Sequence, residues 1–186
     1  QTHYLCEHLT PEGNHRTLEL YAIFLVAVTF PELNSAEWFL GFSKQKLVEN
    51  IRQDLLPDGV HRELSTDYHH TVLKNYLRFR GLALLNNIGL PAQCDELLKK
   101  AIAFSYYAHK PDGFIPAIND GDCNSYLPLL KKANTCYPDS FLQYVLNKGE
   151  DGIAPVQRSR GFTESGYYIL RSDWAKKPYG EALYLF

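Results

Sequence analysis

"LLPDGVHREL", residues 55–64, and "AHKPDGFIPA", residues 108–117, carry the same Pro-Asp-Gly step behind a run of helical periodicity. Proline fixes one dihedral and glycine admits a left-handed one, so the step reads as a turn. A third Asp-Gly, in "GEDGIAP" at 149–155, follows another helical run. Helix, Asp-Gly turn, extended stretch and next helix form a unit that repeats at uneven spacing. Such units bury their apolar faces by stacking on one another. The pattern predicts a mainly α fold, an incomplete α/α toroid of helical hairpins.

Outward from these turns, the first long helix is expected from Asn14, a good cap residue, to about Thr29, before Pro31. From Leu18 to Phe30 it is apolar on almost every side except at Glu19, which predicts burial all round. The second should run from Asn34, with Glu37 completing a capping box, to about Leu56. Its Lys44, Lys46, Glu49 and Arg52 mark an outer helix. The third is expected from Tyr68 to Asn87, with Leu73, Leu77, Leu84 and Ile88 as its apolar stripe. A fourth, outer helix covers Ala92 to Ala108, and shorter ones fall near 125–133 and 138–148.

After Gly161 the period changes. "GFTESGYYILRSDW" and "GEALYLF" read as strands, with "AKKPYG" as the turn between them. Helices first and strands last predict a partial toroid over residues 1–158 and the start of an antiparallel β domain over 159–186. The opening "QTHYLCEHLTPEG" shows no obvious element, and the chain reads as part of a larger protein.

Composition narrows the function. A formal charge of −2 without a basic stripe argues against a nucleic-acid partner. The longest apolar stretch, Leu20 to Val28, is far short of the roughly 20 residues that a membrane span needs. Cys6, Cys94, Cys123 and Cys136 lack metal-ligand spacing and are expected to be free or incidental thiols, with a Cys123–Cys136 bridge as an unsupported alternative. No metal, cofactor or membrane partner is expected, and nothing fixes an oligomeric state.

Two clusters carry chemistry: "GNHR" at 13–16 and "DYHH" at 67–70, each opening an inner helix. Inner helices of a toroid run parallel, so both clusters should meet at one mouth. Helix N-termini favour anions. Eliminating a glycan from a uronic acid needs neutral donors on the carboxylate, a base at the adjacent carbon and an acid at the leaving oxygen. Each preorganised donor is worth roughly 3–4 kcal/mol in the transition state, and a positioned acid or base about 10²–10⁴-fold. Asn and His supply such donors, and Tyr and His can move protons. The blander reading makes Asn14 a helix cap, His70 a solvated helix residue, and Arg16 and Glu63 structural partners.

"NHR" opening one helix and "DGVHRELSTDYH" opening another resemble the heparinase II/III-like polysaccharide lyases, including the related alginate lyases. "PDGFIPAINDGD" and "SGYYILRSDWA" resemble later segments of the same family. The resemblance implies a toroid followed by antiparallel sheets, and β-elimination on an anionic uronate polysaccharide or oligosaccharide in the periplasm or outside the cell. It implies that Asn14 neutralises the substrate carboxylate with help from His15. Tyr68 would transfer the proton, as the acid, with His69 assisting or serving as base. Arg16 and His70 would contact substrate. It also implies a further catalytic histidine beyond Phe186, so residues 1–186 alone are expected to be inactive. A glycoside hydrolase on a similar toroid, using carboxylates such as Asp58, Asp112 and Asp120, is one alternative; a noncatalytic glycan-binding helical module is the other.

Overall fold

A computed structural model describes residues 1–174 and 183–186. The elements are α1 (Thr2–Glu7), α2 (Gly13–Thr29), α3 (Ala36–Asp54), α4 (Thr66–Leu85), α5 (Ala92–Ala108), α6 (Leu127–Cys136) and α7 (Ser140–Leu146). Strands β1 (Arg160–Phe162), β2 (Tyr167–Arg171) and β3 (Tyr184–Leu185) follow. Inner helices α2, α4 and α6 pack side by side, and α3, α5 and α7 pack behind them. This is an arc of helical hairpins followed by a small antiparallel sheet, the mainly α architecture expected.

The Asp-Gly turns build the repeat. Gly59, Gly113 and Gly152 all have positive φ, at 89°, 86° and 95°. At the first two, the aspartate accepts the N–H two residues on, from Val60 at 3.2 Å and Phe114 at 3.0 Å. Matching backbone bonds close the same loop twice: Leu56 N–H to Val60 O and Lys110 N–H to Phe114 O, both 2.9 Å. One local solution is therefore used at two outer-to-inner crossings. At Gly59 the crossing also presses on α5, where a Cβ would lie 2.5 Å from the Ala101 nitrogen. Gly59→Ala combines a left-handed dihedral with a backbone clash, and we expect a loss of about 3 kcal/mol in unfolding free energy. Urea denaturation of the two proteins measures it; a loss under about 1 kcal/mol would mean that the crossing yields easily.

Several boundaries differ from expectation. The opening segment forms the short α1. Helix α2 is capped by Glu12, which leaves Asn14 in the first turn. Helix α3 starts after Ser35 without a side-chain cap bond, so no Asn34–Glu37 capping box forms. Helix α4 starts at Thr66 because Ser65 Oγ accepts the Tyr68 N–H at 3.2 Å.

Burial is redistributed between α2 and α5. Helix α2 buries one face, through Thr17, Leu20, Ile23, Phe24 and Ala27, while Leu18, Leu25 and Phe30 stay exposed. Apolar composition had suggested burial all round, but no described element covers the second face. Helix α5, expected outside, is enclosed from Ala101 to Ala108. The sheet explains this: Phe162 packs on Phe104 and Tyr107, and Trp174 on Tyr106 and Tyr107.

The first strand-like run itself holds β1 and β2, paired Arg160–Ile169 to Phe162–Tyr167 around a turn at Gly166, whose φ is 78°. On β2, Tyr167, Ile169 and Arg171 face the helices while Tyr168 and Leu170 face out, the period-two signature of a half-buried strand. β3 pairs with β2 through Leu170–Leu185 and Arg171–Tyr184. The expected turn "AKKPYG" lies outside the described residues. All four cysteines are free, so the Cys123–Cys136 pairing is not made. Among the described residues, no helix is long and apolar enough to cross a membrane.

Candidate active site

The openings of α2 and α4 lie at the same end of the arc. Side-chain register shows the two helices to be parallel: Phe24 meets Phe79 edge-on at 4.7 Å, and Thr17 Oγ1 lies 3.4 Å from Tyr76 Oη. Just before α4, Arg62 pairs with Glu12 at 3.3 Å, and Glu63 Oε1 lies 3.3 Å from where a Cβ on Gly13 would sit. The segments leading into "GNHR" and "DYHH" therefore touch. Asn14 and Tyr68 are half-buried in the first turns of their helices, and His15, next to Asn14 in sequence, is exposed.

A loop at 116–124 braces the α4 opening. Thr66 Oγ1 donates to Pro116 O at 2.5 Å and accepts from Ile118 N–H at 3.2 Å. Ser65 Oγ donates to Asp120 O at 3.1 Å. Asp67 Oδ1 accepts from Asn124 Nδ2 at 3.0 Å and from the Tyr126 phenol. Gly121 sits so close that a Cβ would lie 2.7 Å from the Asp67 Cβ. The first turn of α4, and Tyr68 with it, is thus held by a surface loop 50 residues away in sequence. The loop overlaps the stretch "PDGFIPAINDGD" at 111–122, and neither periodicity nor spacing encodes a contact of that range.

The remaining candidates are placed differently. Arg16 donates to Thr10 O at 3.0 Å and Pro11 O at 3.2 Å, fastening the loop ahead of α2. Its bonding matches the structural reading better than substrate binding. His69 and His70 are both fully buried. Successive residues on α4 are rotated by about 100°, so the turn that presents Tyr68 carries the next two side chains inward. His69 packs edge-on against Phe104 at 4.7 Å; its Nδ1 accepts the His61 N–H at 3.2 Å and its Nε2–H donates to Ala101 O at 3.1 Å. His70 stacks on Tyr126 at 4.4 Å and donates from Nδ1 to Thr66 O at 2.6 Å. The direct substrate contact expected of these two histidines does not fit their burial. They form a buried floor under the opening of α4.

That floor is kept neutral. Burial pushes the His69 imidazole down to about 3, with nearby His61 adding to the effect. It pushes His109, which accepts the Tyr126 N–H at 3.0 Å, down to about 4, and His70 well below the usual value. His61 is lowered by the same desolvation, partly offset by Asp54 and Glu63. A groove of about 570 Å³ lies elsewhere, between α2, α4 and α6, and is lined mainly by apolar groups such as Leu77, Leu82 and Leu129.

Parallel inner helices, Asp-Gly crossings and a terminal sheet over one outer helix define the class: a helical domain of the α/α-toroid kind. Residues 1–144 match the family described as Heparinase II/III N-terminus, and the chain belongs to that family. It is similar to the heparin-sulfate lyase of Bacteroides thetaiotaomicron, with 28% identity over 87% of this chain and 26% of that protein. The heparin-sulfate lyase of Pedobacter heparinus is 26% identical over 95% of this chain and 28% of its own length. Among solved structures, a heparan sulfate lyase mutant from Pedobacter heparinus superposes with a TM-score of 0.86 at 24% identity, covering 98% of this chain and 29% of that one. A heparinase III crystal structure gives 0.84 at 25% identity over 94% and 29%. The chain thus spans just over a quarter of the length of the curated relatives it matches.

Proposed function

We propose that this chain is the site-bearing helical part of a polysaccharide lyase that cleaves uronic-acid-containing glycans by β-elimination. The observation that carries the reading is the meeting of the α2 and α4 openings, with Asn14, His15 and Tyr68 at one end of the arc. Asn14 and His15 donate to the substrate carboxylate as the carbanion beside it develops. The C5 proton leaves to a base, its electron pair forms the C4–C5 double bond, and the C4–O bond breaks. Tyr68 gives its phenolic proton to the departing oxygen. With His69 enclosed and neutral, the base falls to the β-domain histidine that the family resemblance implies beyond Phe186. The enzyme would work in the periplasm or outside the cell, where such polymers are met.

The hydrolase reading loses two of its three carboxylates, Asp58 and Asp112. Asp58 is held by the backbone N–H groups of Val60 and Ser165, and Asp112 by Phe114 N–H and Lys110, so both serve their turns. The test is a panel of uronate polymers, with heparan sulfate first because the curated relatives carry that activity in their names. It is run with both the full-length protein and residues 1–186. We expect unsaturated uronate absorbance from the full-length protein and almost none from the segment. No unsaturated product from any polymer would reject the lyase reading, and equal turnover by the segment would show that its site is complete.

A further inference from the structure

A second polar cluster lies beneath the candidate site. Asp54, the last residue of α3, is 1% exposed. Its Oδ2 accepts from Tyr76 Oη at 2.7 Å, Asn50 Nδ2 at 3.0 Å and Thr17 Oγ1 at 3.1 Å. Asn50 Nδ2 also reaches Thr17 Oγ1 at 2.8 Å and Tyr76 Oη at 3.0 Å. One carboxylate oxygen therefore gathers donors from α2, α3 and α4. No Lys or Arg pairs with Asp54 among the described residues. Its titratable neighbours are Tyr76, bonded to it, and His61, whose ring feels the Asp54 charge from the following segment.

The donors sit where leverage on the site is greatest. Thr17 lies one turn below Asn14 on α2. Tyr76 lies about two turns below Tyr68 on α4, and long helical side chains lean back toward the N-terminus. The Asp54 carbonyl also accepts the Arg62 N–H at 2.8 Å, so the same residue anchors the approach to α4. Apolar side chains would hold three helices together without the desolvation that a buried carboxylate suffers. What the carboxylate adds is direction, because hydrogen bonds fix distance and angle where apolar packing permits sliding. Misplacing a reacting group by about 1 Å can cost roughly 100-fold in rate.

We propose that Asp54 is a positioning residue, locking the end of α2 that carries Asn14 to the end of α4 that carries Tyr68. It acts through Asn50 and through Thr17 and Tyr76, which lie about one and two turns below those openings. The proposal rests on the assignment of Asn14 and Tyr68 to the lyase site. Asp54→Asn keeps the size of the side chain but removes the charge and replaces one carboxylate oxygen with an NH2, leaving a single, weaker amide oxygen to gather the three donors. In the folded full-length protein it should lower kcat at least about 10-fold while KM moves less than about 3-fold. In a Tyr68→Phe background the same change should have almost no further effect, because the group it positions is gone.

Wild-type kcat in folded Asp54→Asn, or an equal fold-loss in both backgrounds, would overturn the proposal. Where that variant fails to fold, Tyr76→Phe removes one bond to the carboxylate, keeps the ring packed and is read in the same way. Hydrogen exchange separates the two readings, since it needs no activity. If the wild-type protein yields no unsaturated product, the lyase reading fails. The lock still predicts faster exchange at residues 18–22 and 72–76 of the variant, with α5 unchanged. Unchanged exchange at those residues would sink it.

Discussion

Tyr68→Phe in the full-length protein is expected to lower turnover at least about 100-fold while leaving the fold intact, the deficit of a lost acid or base. The substitution removes one oxygen. Tyr68 is half-buried in the first turn of α4, so the ring keeps its contacts. The turn itself depends on Ser65, Thr66 and Asp67, through the Ser65 cap and the bonds from the 116–124 loop. None of these uses the phenol. A thermal melt within a few degrees of wild type, together with lost unsaturated product, would match the acid role. Because the loss is in proton transfer, KM should change far less than kcat. Near wild-type turnover in the folded variant would remove Tyr68 from the chemistry and leave Asn14 and His15 as a binding feature only.

What the sequence disclosed, and what it hid, follows from the range of each interaction. The Asp-Gly turns were legible because proline, aspartate and glycine act within four residues. Gly59 and Gly113 adopt the dihedrals that such turns require. The parallel inner helices followed from the repeat, and with them the approach of the segment before α4 to the opening of α2, through Arg62–Glu12 and Glu63 beside Gly13. Boundaries were legible only to within a turn: Ser65 caps α4 where Tyr68 had seemed to open it, and Glu12 displaces Asn14 from the cap of α2. The rest was hidden by distance. Leu18 and Leu25 are exposed and Ala101 to Ala108 enclosed because of which elements lie against them, and composition does not record neighbours. Asp54 and Asn50 lie four apart on the helix that Lys44, Lys46, Glu49 and Arg52 mark as outer, and nothing local distinguishes them. Their partners Thr17 and Tyr76 are 37 and 22 positions from Asp54.

The histidines beneath the site should make the protein strongly acid-sensitive. His61, His69 and His70 are fully buried and His109 nearly so. The His69 and His70 rings meet edge-on at 5.2 Å, and His70 and His109 at 5.4 Å. They cannot all hold charge, and burial keeps them neutral: His69 down to about 3, His109 down to about 4, His70 and His61 lowered in the same sense. The sign follows from linkage. Above the unfolded value near 6.5, both states are neutral and these groups add no pH dependence. Below it the unfolded chain takes up protons that the native state refuses, so stability falls with pH until the native groups protonate. Each group contributes about 1.4 kcal/mol per pH unit across that window. For His69 and His109 together the loss between pH 6.5 and 4.5 is on the order of 5 kcal/mol, comparable to the whole stability of many domains. The lowered carboxylates Asp95, Asp112 and Glu49 act with the same sign but at lower pH, so they do not obscure this window. Urea unfolding at pH 7.5, 6.5, 5.5 and 4.5 should show a flat region, then a fall steepening below about 6 as more than one proton is taken up. His109→Gln, with an amide able to replace one imidazole hydrogen bond, should reduce that slope by about one proton. Stability constant from pH 7.5 to 4.5 would mean that these rings reach solvent and protonate in the native state, and that the floor is not enclosed.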